Sequence, residues 1–332
     1  MILDFSLILI IFLIHFFVFK NKEKIFGSYF LDIPDQKRKI HQKSTYLIGG
    51  HFVIFSYLTF LLFSFDNDLN EKLLLLFIFV SIFLVGIFDD LKNLNPYLKI
   101  TLILIIYLIL TYFDNSFLLK QIYFETFEKN LYFGYYSYFL SSLCVLLLIN
   151  AINLIDGING LAMMIFIIFY LFLYYFLKID FNIFILIFYL FIFYNICKGN
   201  YFLGNSGSLI IGALISFFTI KAYNTGFDIK NSSNSAEDIF ILFLIPGIDM
   251  LRLFVQRIIN KKNPFKADKS HLHHLLIKKF SLQKILFSYF LIIFSSSYLA
   301  FGDYLPEILI ISLITTIYFL TFLLLIKKYK KF

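Results

Sequence analysis

Four polar groups interrupt an otherwise apolar chain, and each carries residue types that could do chemistry. Asp89 and Asp90 are adjacent carboxylates, with Lys99 ten residues further on. Neighbouring like charges repel, so the pair either marks a solvated helix end or serves a cation or a phosphate. The stretch from Asn150 to Ala162 holds Asn150, Asn153, Asp156, Gly157, Asn159 and Gly160, without a Lys or Arg. Amides and a carboxylate offer base-edge hydrogen bonds or oxygens for a hard cation, although a polar turn would also be rich in Asn and Gly. Gly204-Asn205-Ser206-Gly207-Ser208 stands directly before an expected helix, where backbone N–H groups favour an anion. The last group runs from Pro246 through Asp249, Arg257, Asn263-Pro264-Phe265 and Asp268 to His271, His273 and His274. Zinc fits this group poorly, because no cysteine lies nearby and the spacing is not the i, i+4 of a helical zinc pair. Histidines among Arg257, Lys261, Lys262, Lys266 and Lys269 suit phosphate better, whereas the lysines alone need mean only a basic loop. Taken together, the groups suit phosphoryl transfer, which needs a divalent ion, neutralising cations and a positioned nucleophile.

The elements that must position these residues are membrane helices. Of 332 residues, 60% are hydrophobic, 21% aromatic and only 15% charged. A soluble domain carries about 25% charge, so soluble, disordered, collagenous and disulfide-framework classes are excluded. Apolar runs fall at about 2–19, 47–65, 73–88, 100–113, 135–149, 161–177, 182–197, 209–223, 239–254, 285–301 and 308–326. Backbone polar groups cannot go unpaired in lipid, and no alternation suggests an outer-membrane barrel. The expectation is therefore one all-α polytopic domain over 1–332 with about eleven transmembrane helices. Asp4 and the lack of a small-residue cleavage site mark the first run as a retained helix rather than a signal peptide.

Lysine and arginine set the orientation. The segments 20–46, 89–99, 150–160, 198–208, 255–284 and 327–332 hold 22 of them, and the opposite loops hold six. Positive loops face the cytoplasm, which puts the N-terminus outside, the C-terminus inside and all four polar groups on the cytoplasmic face. The net charge of +8 is accordingly an orientation signal and not a nucleic-acid footprint. Cys144 and Cys197 both lie in apolar runs and behave as small apolar residues.

In this order, the motifs resemble the polytopic polyprenyl-phosphate N-acetylhexosamine-1-phosphate transferases of glycosyl transferase family 4. The resemblance runs from Asp32 to His274. Asp32-Ile33-Pro34-Asp35, Arg38-Lys39-Ile40-His41 and Gly49-Gly50 are similar to the family's first cytoplasmic loop, with one extra residue before Arg38 and with Ser44 and Tyr46 in place of usual prolines. The resemblance implies that Asp89 and Asp90 act on the lipid phosphate and that Lys99 holds the nucleotide diphosphate. It makes Asn150 to Leu161 the uridine and metal loop, with Asp156 also catalytic and Asn159 where most bacterial members carry Asp. It assigns Mg²⁺, or Mn²⁺, to Asn153, Asp156 and Asn205, and substrate binding to Asn150, Asn159, Arg257, His271, His273 and His274. Asn205 is a departure, because the family carries a metal-ligating Asp there.

The implied reaction joins a UDP-N-acetylhexosamine to polyprenyl (undecaprenyl) phosphate in the inner membrane, yielding lipid-diphospho-sugar and UMP. Membrane lipid is a partner, nucleic acid is not, and a homodimer is left open. The His-x-His-His pattern with Pro264-Phe265 is similar to the O-antigen and teichoic-acid branch and disfavours the pentapeptide translocase, which has three consecutive histidines. A UbiA-type prenyltransferase needs aspartate-rich pairs that Asp89-Asp90-Leu91-Lys92 does not supply. A transporter would place ionisable residues near the midplane, and a lapsed enzyme would only bind lipid.

Overall fold

Each of the eleven apolar runs contains a helix in the computed structural model, which describes residues 2–34, 44–63, 68–175, 183–228, 235–261 and 270–329. In chain order the helices are α1 (Ile2–Lys20), α2 (Lys22–Phe26), α3 (Gly49–Phe63), α4 (Leu69–Lys92), α5 (Pro96–Phe113), α6 (Ser137–Ile155) and α7 (Leu161–Tyr175). They continue as α8 (Ile183–Cys197), α9 (Gly204–Asp228), α10 (Ala236–Leu242), α11 (Leu244–Ile259), α12 (Leu272–Leu276), α13 (Leu282–Phe301) and α14 (Glu307–Tyr329). Six of them are long and apolar enough to cross a membrane: α4, α5, α6, α9, α13 and α14, each through most of its length. The all-α polytopic reading stands.

Helix α9 is the hub. In its apolar stretch 89% of residues are buried within the protein, against 22–39% in the other five. It packs against α3, α4, α6 and α7, so it cannot be amphipathic and reads as apolar on every side. Between membrane helices the packing gain comes from close backbone approach at small residues. Gly86 of α4 supplies one such approach, since a Cβ there would lie 2.4 Å from Ser206 Cα. Gly86→Ala must push α4 from α9, and overpacking of this kind costs about 1–3 kcal/mol. A lowered melting temperature in detergent is the expected result.

The ninth run is broken, not continuous. Pro246 has no N–H to give the carbonyl four residues back, and its ring would clash there. A break in the helix at Phe243 removes the conflict, because Pro246 then sits in the first turn of α11, where free N–H groups have no intrahelical partner. The polar loops are also shorter than expected. Asp89 and Asp90 are still helical, Asn150 and Asn153 belong to α6, and Gly204 to Ser208 form the first turn of α9. These helices continue because the polar side chains find partners on neighbouring helices.

Four short strands fall outside the all-helical expectation. β1 (Leu31–Asp32) pairs with β2 (Thr45–Tyr46), and β3 (Gln121–Phe124) pairs with β4 (Lys129–Tyr132), both antiparallel. The second hairpin docks on the far end of α9, roughly 30 Å from its N-terminus at 1.5 Å per residue. There Tyr123 N donates to Tyr223 Oη at 2.7 Å, and the N–H groups of Glu125 and Thr126 donate to the Glu237 carboxylate at 3.3 and 3.4 Å. Desolvation and the charges of Glu307, Asp303, Asp238 and Glu237 raise the Glu125 carboxyl to about 7. A raised carboxyl favours the docked state while protonated. That contribution is complete below the ordinary value of 4.5 and is lost as pH rises through about 7. The protection of the hairpin amides relative to their intrinsic exchange rates should fall between pH 5 and 8, and Glu125→Gln should flatten this dependence.

Candidate active site

The four polar groups come from distant parts of the chain, and the fold gathers them at the N-terminus of α9. Its first N–H groups have no intrahelical acceptor. Asp90, near the end of α4, supplies one: its Oδ1 accepts from Asn205 N at 2.7 Å and its Oδ2 from Ser206 N at 3.0 Å. A carboxylate here also meets the positive end of the helix dipole. Asp90 thus joins the first polar group to the third.

Asp89 points elsewhere. It is buried, takes Lys99 Nζ at 2.9 Å and accepts from Leu94 N at 2.9 Å. Asn93 bends the chain in the left-handed region, and Asn95 caps α5 by accepting from Tyr97 N. Asp89 and Lys99 therefore neutralise one another across the corner between α4 and α5.

The second group is anchored from α6. Asn153 Oδ1 accepts from Ser208 Oγ at 2.7 Å, and the same hydroxyl reaches Asn205 O at 3.3 Å. Asn150 lies on α6 nearly one turn earlier and is half-buried. Asp156 caps the end of α6. Desolvation, followed by the charge of Asp90, pushes its carboxyl well above the usual carboxylate range.

The fourth group reaches the same place from the other side. A Cβ on Gly157 would stand 2.3 Å from His273 Nε2 and 2.7 Å from His274 Nε2, so only glycine lets both rings lie against the Asp156 loop. His273 is fully buried, and desolvation, with neighbouring His274 and His271, holds it well below its ordinary value and hence neutral. His271 lies 5.3 Å from the His273 ring and pairs with Asp249 at 2.7 Å. Asp249, His271 and His273 could by proximity hold a metal. However, the Asp249 carboxylate already takes Arg252, Tyr318, Leu272 N and His271, which organises it as an ion pair and not as a ligand. Arg257 is buried in the last turn of α11.

A cavity of about 840 Å³ opens where these elements meet. Asp90, Asp156, Asn159, Asn205 and His274 line it, with Tyr29 and Asp32 from the first loop. Asp89, Lys99, Asn150, Asn153, Arg257, His271 and His273 stand outside this lining. Asp35, Arg38, Lys39, His41, Asn263, Pro264, Phe265 and Asp268 lie outside the described residues. Sequence reasoning missed Tyr29, which carries no local signal, and Tyr318, which only the packing of α14 brings to Asp249. The cavity's polar lining is dominated by oxygen donors, with one imidazole. Hard divalent cations prefer oxygen ligands, and the Asp156 carboxyl, destabilised as an anion first by burial and then by Asp90, gains from such a cation. The residues therefore fit Mg²⁺ or Mn²⁺.

The family model for glycosyl transferase family 4 matches residues 72–223, which include Asp89, Asp90, Lys99, Asp156, Asn159 and Asn205. The chain is 28% identical over 259 residues to the undecaprenyl-phosphate alpha-N-acetylglucosaminyl 1-phosphate transferase of Thermotoga maritima, covering 77% of this chain and 76% of the relative. It is 30% identical over 95 residues to the decaprenyl-phosphate N-acetylglucosaminephosphotransferase of Mycolicibacterium smegmatis, 26% of this chain and 23% of that one. A third relative, the undecaprenyl-phosphate alpha-N-acetylglucosaminyl 1-phosphate transferase of Haemophilus influenzae, is 30% identical over 82 residues, 24% of this chain and 22% of its own. The family match falls on the segments that supply Asp90, Asp156, Asn159 and Asn205 to the cavity, so the chain is similar to glycosyl transferase family 4 through the part that builds this site.

Proposed function

We propose that this protein transfers N-acetylhexosamine-1-phosphate from a UDP-sugar to polyprenyl (undecaprenyl) phosphate, releasing UMP, on the cytoplasmic face of the inner membrane. The observation that carries the reading is the meeting of Asp90, Asp156, Asn159, Asn205 and His274 in one cavity at the start of a buried helix. An oxygen of the lipid phosphate attacks the β-phosphorus of the nucleotide sugar. The bond from that phosphorus to the bridging oxygen breaks, UMP leaves with the electron pair, and a new diphosphate joins lipid to sugar.

Little covalent chemistry falls to the protein, so positioning and electrostatics carry the rate. Asp90 is the member of the carboxylate pair that faces the cavity, and it orients the lipid phosphate and takes its proton. Asp89 holds Lys99 at the corner beside it, and Lys99 faces the donor diphosphate when the cavity fills. Asn159 and the Asp156 loop hold the uracil end. His274 hydrogen-bonds a phosphate oxygen. Asp156 and Asn205, with Asn153 behind them, would hold Mg²⁺ or Mn²⁺. The ion supplies neutralisation of the diphosphate's charge when bound.

Membranes containing the protein, given polyprenyl phosphate and a panel of UDP-sugars, should form lipid-linked product and UMP with a UDP-N-acetylhexosamine. No product with any of them defeats the reading. Orientation has its own test, motivated by the 22-to-6 distribution of Lys and Arg. With Cys144 and Cys197 replaced by Ser, a cysteine at Ser270 should react only with reagents that reach the cytoplasm, and one at Asp303 only from outside. The reverse pattern places the cavity away from nucleotide sugars.

A further inference from the structure

We propose that Asp249, Arg252 and Tyr318 form a buried clamp that positions His271, which makes the last helix a working part of the substrate site. The inference rests on the reading above that His274, which follows in the same segment and lines the cavity, hydrogen-bonds a phosphate oxygen. Asp249 and Arg252 sit one turn apart on α11, and Tyr318 comes from the middle of α14. Asp249 is only 3% exposed, in a setting where an unpaired charge is strongly disfavoured. Its Oδ1 accepts from Tyr318 Oη at 2.6 Å, Arg252 Nη2 at 2.9 Å and Leu272 N at 3.1 Å. Its Oδ2 pairs with His271 Nδ1 at 2.7 Å.

Arg252 completes the frame. Its Nη2 also donates to Ser270 O at 2.8 Å, its Nε donates to Tyr318 Oη at 2.7 Å, and its guanidinium lies 4.0 Å from the centre of the Phe322 ring. Three consecutive residues are thereby fixed: Ser270 by its carbonyl, His271 by its ring and Leu272 by its N–H. A scaffold that only joined α11 to α14 would need none of those three contacts. The fixed segment leads directly into α12, which lays His273 and His274 against Gly157. A carboxylate on Nδ1 keeps the proton there and sets both tautomer and ring direction. The clamp thus transmits the placement of α14 to the cavity wall, with Asp249, Arg252 and Tyr318 as positioning residues.

Two readouts separate positioning from mere support. In ¹⁵N-histidine spectra of the full chain, the His271 resonances, assigned by their loss in His271→Gln, should show a protonated Nδ1 hydrogen-bonded to carboxylate. Asp249→Asn should abolish that signature and Tyr318→Phe should shift it. In kinetics, Tyr318→Phe should lower kcat/KM for the UDP-sugar about tenfold and Asp249→Asn roughly a hundredfold, the range for partners that orient a functional histidine. Both effects should disappear when the variants are made in a His271→Gln background. Wild-type spectra without the carboxylate-bonded Nδ1 proton overturn the clamp. So do losses that persist undiminished in the His271→Gln background, or variants that melt earlier while kcat and KM stay unchanged. A wild-type protein without activity on any UDP-sugar defeats the proposed reaction instead, and the spectra still decide the clamp.

Discussion

Asp90→Asn should reduce turnover by roughly a hundredfold or more, the scale of a lost general base, while Asp89→Asn should act first on stability. The two substitutions are chemically identical and one residue apart, so their difference isolates what the structure adds. Both oxygens of Asp90 accept N–H groups from the start of α9. An amide side chain has one acceptor oxygen, so the Asp90→Asn variant leaves one of those N–H groups facing the new NH₂ group. An unmade bond of this kind costs about 1–3 kcal/mol, and the cavity loses a charge and a base as well. Asp89 instead faces Lys99, with side chains only 6% and 14% exposed. Removing one member of a buried pair strands the other and costs about 3–5 kcal/mol. Asp89→Asn should therefore lower the melting temperature steeply, and Lys99→Met should recover much of that loss in the double variant. Recovery of the fold without recovery of turnover would show that Lys99 also serves the donor. Equal kinetic and thermal losses in both single variants would contradict the division of labour.

That division was not legible in the sequence, although the pair itself was. Two adjacent residues on a helix point about 100° apart, and which one faces a cavity depends on where the neighbouring helix lies. The helix dictating it, α9, begins 114 residues after Asp90, at Gly204. Apolar runs were read reliably because lipid forces any such run into a helix. Their ends were not, because polar residues such as Asn153 and Ser208 satisfy one another across helices and let the helix run on. Pro246 was read only as the start of the histidine-bearing group inside one continuous run, and the break at Phe243 shows that the chain uses it to hand Asp249 to the histidine segment. The β3–β4 hairpin went unread for another reason. Its residues form a short edge whose docking depends on Tyr223 and Glu237, about a hundred residues later.

Asn205 departs from the family pattern, and it should make the enzyme active but unusually demanding of metal. Its backbone N–H, and not its side chain, holds Asp90, so the side chain can change without loosening the start of α9. Around it stand Asp90 and Asp156, and the Asp156 carboxyl is already pushed upward by burial and by the charge of Asp90. A neutral amide oxygen can serve a hard cation but contributes no charge, and Mg²⁺ holds its near-octahedral shell partly with water. Asn205→Asp adds a carboxylate to the space that Asp90, Asp156 and Asp32 already line. Without metal, that carboxylate is repelled and the protein should melt earlier. With metal, the repulsion becomes attraction, and half-maximal activity should need roughly tenfold less Mg²⁺, equivalent to ~1.4 kcal/mol of binding. The span between metal-free and metal-saturated melting temperatures should widen accordingly. Asn205→Ala keeps the helix start, removes the oxygen, and should raise the Mg²⁺ requirement or end turnover. If Asn205→Asp leaves both the activity titration and the melting response unchanged, residue 205 does not touch the ion. If neither Mg²⁺ nor Mn²⁺ at any level elicits UMP release from the natural sequence or from Asn205→Asp, catalysis has lapsed in this chain.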